Sequence, residues 1–224
     1  ALVAELPALR APAGTTTLRG PVARRMGRAA AGRGVFVTPM AAVAGAVADE
    51  LLSAMVEGRA LTRAVVNDGG DVALWLAPGE RLRAALAVET AAGWRDLGRA
   101  EVRAGDGVGG IATSGWRGRS WSFGIADAVT ALADCAAEAD VAATLIANAV
   151  DLPGSPKVRR GPASAEEPDS DLGDRPVTLA VGPLSAAERA EALARGAAAA
   201  EAMRAEGRLI AAALTLGPET RTVG

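Results

Sequence analysis

The chain has 224 residues, half of them hydrophobic but only 3% aromatic, which suits one substantial domain with a core of small, closely packed side chains. Its 24 basic and 26 acidic residues leave a formal charge of -2. No basic run of five appears, which argues against a nucleic-acid or anionic-membrane binder and leaves small molecules or proteins as partners.

There is no histidine and no tyrosine. His-based triads, histidine zinc ligands and phenolic acids are therefore excluded, and the reactive groups are Asp, Glu, Lys, Ser, Thr and Cys135. The single cysteine cannot form an internal disulfide and reads as a reduced, buried thiol, which suits a cytoplasmic protein. The longest uncharged apolar stretches, such as 39–48, fall short of the roughly 20 residues of a spanning helix, so no membrane segment is expected.

Residues 1–37 carry Pro7, Pro12 and Pro21 and no sustained period, with a short helical possibility at 22–31, and read as an irregular lead-in. Thr38 offers a hydroxyl cap and Pro39 a first-turn proline to a helix over 39–57 that stops before Gly58. Its apolar stripe is Met40, Val43, Val47, Leu51 and Met55. The first turn, PMAAVAGA, has little bulk, which suits backbone approach to a ligand and equally suits close packing on a sheet.

Apolar runs at 61–67 and 71–77 flank NDGGD, predicting two strands joined at a tight glycine turn or one strand with a bulge. Asp68 and Asp71 then sit beside bare backbone, as in an ordinary turn; such acidic groups also suit ligand hydroxyls or a metal. Runs at 82–90 and 98–104 read as further strands around AAGWRDLG, a hairpin connection.

Residues 105–150 carry the densest chemistry. A glycine-rich loop leads through an apolar stretch into a helix on which Asp140, Thr144 and Asn148 recur every fourth residue, one above another, with Val141, Leu145 and Ile146 round the side. Burying a carboxylate, a hydroxyl and an amide in line costs several kcal/mol unless each finds a hydrogen bond, a cation or a ligand.

The stretch 151–176 is rich in Pro, Gly and charge and lacks an apolar period, so it reads as a long loop. Asp169, Asp171 and Asp174 are spaced to wrap a hard cation, but the segment lacks the turn glycine and downstream Glu of a calcium loop, and a solvated loop accounts for it. A strand follows at 177–181. Ser185 and Glu188 form a capping box that opens a helix running to Gly207, and 209–216 closes as a strand. Gly196 in that helix costs about 1 kcal/mol against Ala and marks either a packing contact or a bend.

The run AEADVAAT resembles the Ala-Asp-x-x-x-Thr signature of the ApbE-like FAD:protein FMN transferases. In the same chain order PMAAVAGAVADELL is similar to that family's GGIAKGYAVD helix, NDGGDVAL to its GGDI strand, and GIATSG to its threonine-serine-glycine loop, together covering residues 38–150. Ala44 replaces the family's helix lysine, and the histidine of active transferases has no counterpart. These departures place the chain nearest the uncharacterised side branch of the ApbE-like superfamily.

The resemblance implies a single α+β domain over 1–224, an antiparallel sheet with helices layered on it, built as two pseudo-related halves of the T-fold type with a ligand cleft between them. It implies a Mg2+ ion held by Asp140 and Thr144 against the pyrophosphate of FAD, and an Asp and a Thr one helical turn apart can offer two oxygens to a hard cation. Thr113, Ser114, Gly115 and the amides near Gly109 and Gly110 would meet phosphate, with Arg117 and Arg119 adding charge, Trp116 or Trp121 stacking on a flat ring and Asn148 completing the stripe. Equally, the arginines read as solvated and the tryptophans as core. Asp68 and Asp71 are the candidate catalytic bases. The leading expectation is a flavin or dinucleotide site with Mg2+, serving phosphoryl or flavin transfer. Its alternatives are a binding protein without turnover and a structural homo-oligomer subunit with no cofactor.

Overall fold

The computed structural model describes residues 2–90 and 93–224. In chain order its strands are β1 (Arg63–Asp68), β2 (Asp71–Leu76), β3 (Arg81–Thr90), β4 (Gly93–Arg103), β5 (Gly110–Ser114), β6 (Ala128–Ala133), β7 (Val158–Pro162), β8 (Pro176–Val181), β9 (Ala211–Leu216) and β10 (Glu219–Val223). The helices are α1 (Leu6–Leu9), α2 (Pro21–Ala30), α3 (Val43–Val56), α4 (Ala136–Ala149), α5 (Ala163–Glu166) and α6 (Ala186–Ala205).

The fold is α+β, as expected. Six strands form one sheet in the order β1-β2-β5-β6-β9-β10, with every neighbouring pair antiparallel. NDGGD resolves to two strands: Asp68 pairs with Asp71 across Gly69 and Gly70, whose φ angles of 66° and 116° only glycine adopts freely. α3, α4 and α6 cover one face of the sheet, where Ala112, Ala131 and Ala133 meet Ala139, Ala142 and Ala143. The β3–β4 hairpin covers part of the other face through Val102, Leu74 and Ile111. It begins its return at Gly93, so most of AAGWRDLG lies in β4 rather than in the turn; residues 91 and 92 lie outside the described residues.

The lead-in over 1–37 is more ordered than its prolines suggest. α2 buries Ala23, Met26, Ala29 and Ala30 in a second layer with Leu9 and Val37, because a stripe of small residues and one Met suffices to pack on helices that are themselves small-sided. The helix expected over 39–57 opens as a 3-10 turn, Pro39–Ala42, and continues as α3. Its buried face is Ala42, Gly45, Ala46, Ala48 and Asp49, while Leu51 and Met55 are 52% and 42% exposed. The bulky stripe is therefore not the most buried face, although Met40 and Val43 pack half-buried beside α2: α3 approaches α4 so closely that a Cβ on Gly45 would lie 2.3 Å from the Ala136 carbonyl oxygen. The stretch Pro39–Val56 is long and apolar enough to cross a membrane by composition, contrary to the expectation from shorter uncharged runs; here it is held to the sheet and to α4 by that face.

The long stretch over 151–176 also contains structure. β7 pairs with β8 and α5 follows β7. Thr38 does not cap its helix; the hydroxyl donates to the Asp171 carboxylate, while Ser164 donates to Asp174 at 2.5 Å, so two of the three acidic residues serve as loop anchors. The Ser185 and Glu188 capping box is present, and Gly196 is a packing position, since a Cβ there would lie 2.2 Å from Val150 Cγ2. The closing segment is a hairpin, β9 with β10, the second strand of which carries no apolar alternation to announce it.

Candidate functional site

α3 and α4 cap one another. Ala136 and Ala137 open α4 with N–H groups that have no partner inside the helix, and both donate at 2.9 Å to the carboxylate of Asp49, which is 6% exposed on α3. In return Gly45, in the first turn of α3, donates its N–H at 3.1 Å to Asp140 Oδ2 on α4. Each carboxyl thus meets the positive end of the other helix. Asp49 was missed in the sequence; an acidic residue four positions after Gly45, on the small-residue side of an apolar helix, was the available signal.

Asp140 also faces the sheet, where its carboxyl and that of Asp71 at the start of β2 act on one another. Burial is the main reason both are held in the acid form longer than usual, with the neighbouring carboxyls adding to it. Asp71 is pushed up to about 6, by burial first and by Asp68, against the Thr113 N–H and Arg119, which favour its charge. Asp140, the deeper of the two, is raised well above the carboxylate range by burial and by Asp71, against the Gly45 N–H. The two carboxyls therefore titrate as a coupled pair above the ordinary carboxylate range.

The structure sorts the other expected residues by face. Strand β5 alternates, so Ala112 and Ser114 lie on the helix side, and Ile111 and Thr113 on the hairpin side. The Thr113 hydroxyl pairs with Thr130 Oγ1 at 2.8 Å, so only the Thr113 main-chain N–H meets Asp71. Gly109 spends its N–H on the Ala133 carbonyl, and Gly109, Gly110 and Gly115 are close-packing positions against the backbone of Asp134, Ala136 and Asp127. On their Cβ side the space these glycines leave is taken by the sheet and the β6–α4 turn.

Arg117 is committed to Asp127 at 2.8 Å and lies over the Trp116 ring at 4.4 Å, while Asp127 also receives the Gly217 N–H. Trp116 is half-buried with its Nε1 enclosed and unpartnered. Arg119 is exposed, and its Nη2 atom reaches the Gly69 turn between Asp68 and Asp71. Asn148 is remote from the carboxyl pair, two helical turns or about 12 Å along α4 from Asp140. Its Oδ1 accepts from the Ser122 hydroxyl and the Phe123 N–H, which fixes the chain entering Gly124. Thr144, one turn beyond Asp140, is half-buried.

The donors around Asp140 are hard oxygens, with Asp71 and Asp68 beside it, the set Mg2+ prefers over softer metals. Among the described residues no group of three or more acidic, cysteine or histidine side chains forms a ready cage, so a cation here would complete its shell with water or ligand oxygens. The residues fit such a cation. Two cavities lie elsewhere, one of about 390 Å³ beside Trp75 and Asp134 and one of about 400 Å³ beside Arg33 and Phe36; neither is lined by Asp71 or Asp140.

Comparison with known proteins gives the family. UPF0280 proteins of Methanothrix thermoacetophila and Methanopyrus kandleri are 39% and 41% identical over 134 and 131 residues, 58% and 57% of this chain. The aligned stretches cover 52% and 48% of those proteins, so the chain spans about half the length of these relatives. The model of the family described as AbpE bacteria matches residues 1–222. The chain therefore belongs to this bacterial ApbE-like family, with relatives in the uncharacterised UPF0280 proteins.

Proposed function

We propose that the protein binds a flavin dinucleotide together with Mg2+ at the Asp71–Asp140 pair, with Asp140, Thr144 and Asp71 as the protein's oxygen donors. The observation that carries this reading is the Gly45 N–H contact that fixes Asp140 beside half-buried Asp71: two neighbouring acids, both raised above the ordinary carboxylate range by burial, occupy a position that a divalent cation would satisfy better. The Mg2+ ion would supply neutralisation of pyrophosphate. The chain's own part is to hold Asp140 against the Gly45 N–H, to hold Asp71 against the Thr113 N–H, and to offer Arg119 from the exposed loop to the ligand's negative charge. Covalent flavin transfer is not part of the proposal, since Ala44 stands in place of the family lysine and the chain has no histidine.

A second reading, in which the polar stripe is scaffold, is favoured at one position: the Asn148 amide oxygen accepts from both Ser122 and Phe123 and so holds residues 122–124. A thermal-shift series with FAD, with Mg2+ and with both separates the two readings. Under the binding proposal wild type gains about 2.7 kcal/mol at a hundredfold excess of ligand over its dissociation constant. Asp140→Ala and Thr144→Val lose the response to Mg2+, and Asn148→Ala keeps it while melting lower. No response of wild type to either ligand, with a lower melting temperature for Asp140→Ala, would leave the stripe as scaffold.

A further inference from the structure

Arg119 and Arg117 sit two residues apart in one exposed loop and are used differently. Arg117 is paired with Asp127. Arg119 has no carboxylate at ion-pair distance among the described residues, yet its guanidinium lies at the mouth of the acidic site. Its Nη2 is 2.5 Å from where a Cβ on Gly69 would stand, in the turn that separates Asp68 from Asp71. The space it occupies exists only because residue 69 has no side chain. The residues around it, 117–120, are all exposed, so no packed frame holds it there. The charge it faces is that of the carboxyls below: Arg119 acts on Asp71 in the direction that favours the ionised form.

We infer that Arg119 is the resident counter-ion of the Asp68, Asp71 and Asp140 carboxyls, which an entering cation displaces and which then closes on the anionic part of the ligand. This rests on the cation reading above and deepens it. A guanidinium and a divalent cation repel one another, and removing one positive charge from the rim of a partly solvated site changes cation affinity by roughly three- to tenfold. Once displaced, a planar guanidinium on an exposed loop suits bidentate contact with phosphate oxygens. Cation and anionic ligand therefore favour one another: the anion gives Arg119 somewhere to go, and the cation frees Arg119 for the anion. By linkage the factor is the same in both directions.

Calorimetric titration of Mg2+ alone, and of FAD with and without saturating Mg2+, tests this on wild type, Arg119→Gln, Arg119→Lys and Asp140→Asn. The side chain is exposed, and matching circular dichroism melts check that Arg119→Gln is folded. Arg119→Gln is expected to bind Mg2+ alone three- to tenfold more tightly than wild type and to bind FAD more weakly in the presence of Mg2+, so that the mutual enhancement shrinks. Arg119→Lys, which keeps the charge, should bind Mg2+ as wild type does. Equal or weaker Mg2+ binding by Arg119→Gln, with binding lost in Asp140→Asn, overturns the role of Arg119 and leaves the cation site standing. Failure of Mg2+ to bind either wild type or Arg119→Gln overturns both.

Discussion

The Gly45 N–H of α3 donates at 3.1 Å to the Asp140 carboxyl of α4, and the neighbouring Asp71 carboxyl is held with it above the ordinary carboxylate range. Two half-buried acids with raised pKa values make folding take up protons, because in the unfolded chain both ionise near the ordinary carboxylate range. A folded pKa above the unfolded value gives stability that is present at low pH and lost as pH rises through the folded value. For Asp71 that window runs from about 4 to about 6, and Asp140 extends it upward. We expect wild-type stability, from urea melts, to fall by on the order of 2 kcal/mol across this range. Asp71→Asn should flatten the profile, and a profile as steep as wild type would exclude Asp71 as its source.

Mg2+ should oppose that loss. If the cation takes the place of the proton, saturating Mg2+ raises the melting temperature more at pH 8 than at pH 5, because the ionised pair is the form that binds it. An equal shift at both pH values would mean the ion binds elsewhere. Incubation with FAD, Mg2+ and an acceptor peptide should leave the peptide unmodified by mass spectrometry, since neither the family lysine nor a histidine is present.

Asp49 carries the mutual capping of α3 and α4. Asp49→Ala would strand two buried N–H groups at the α4 N-terminus and should cost about 2–4 kcal/mol. Asp49→Asn, which keeps one acceptor oxygen, should recover roughly half of that. Equal stability of wild type and the Ala variant in denaturant would show that water replaces the carboxylate.

Two glycine substitutions should part company. Gly45→Ala places a Cβ 2.3 Å from the Ala136 carbonyl oxygen, a backbone atom that cannot turn aside, so the helices must separate at a cost of about 1–3 kcal/mol or more. In Gly27→Ala the Cβ meets only Leu18 Cδ1 at 2.7 Å, the end of a flexible side chain. The helix-propensity gain of up to about 1 kcal/mol then offsets the repacking and leaves stability near wild type. The same melts check both, and a neutral Gly45→Ala would contradict the close approach.

Much of this architecture is local and legible in residue order. The Gly69–Gly70 turn, the Ser185 and Glu188 capping box and the α4 stripe are each specified within a few residues, because φ preferences, first-turn hydrogen bonds and helical periodicity act at that range. The absence of histidine limits the chemistry through composition alone. What the stripe does could only be decided by packing. Asp140 meets Gly45 and Asp71, while Asn148 meets Ser122 and Phe123, partners that come from other segments of the chain. Thr113 turned out to face away from the pair because 110–114 is a strand rather than a loop, and a period of two sends neighbouring side chains to opposite faces. α3 hid its small face rather than its bulky stripe for a related reason. Periodicity shows that a helix has two faces, but which one lies inward depends on how closely its neighbour can approach, and here Gly45 and Ala136 allow backbone contact.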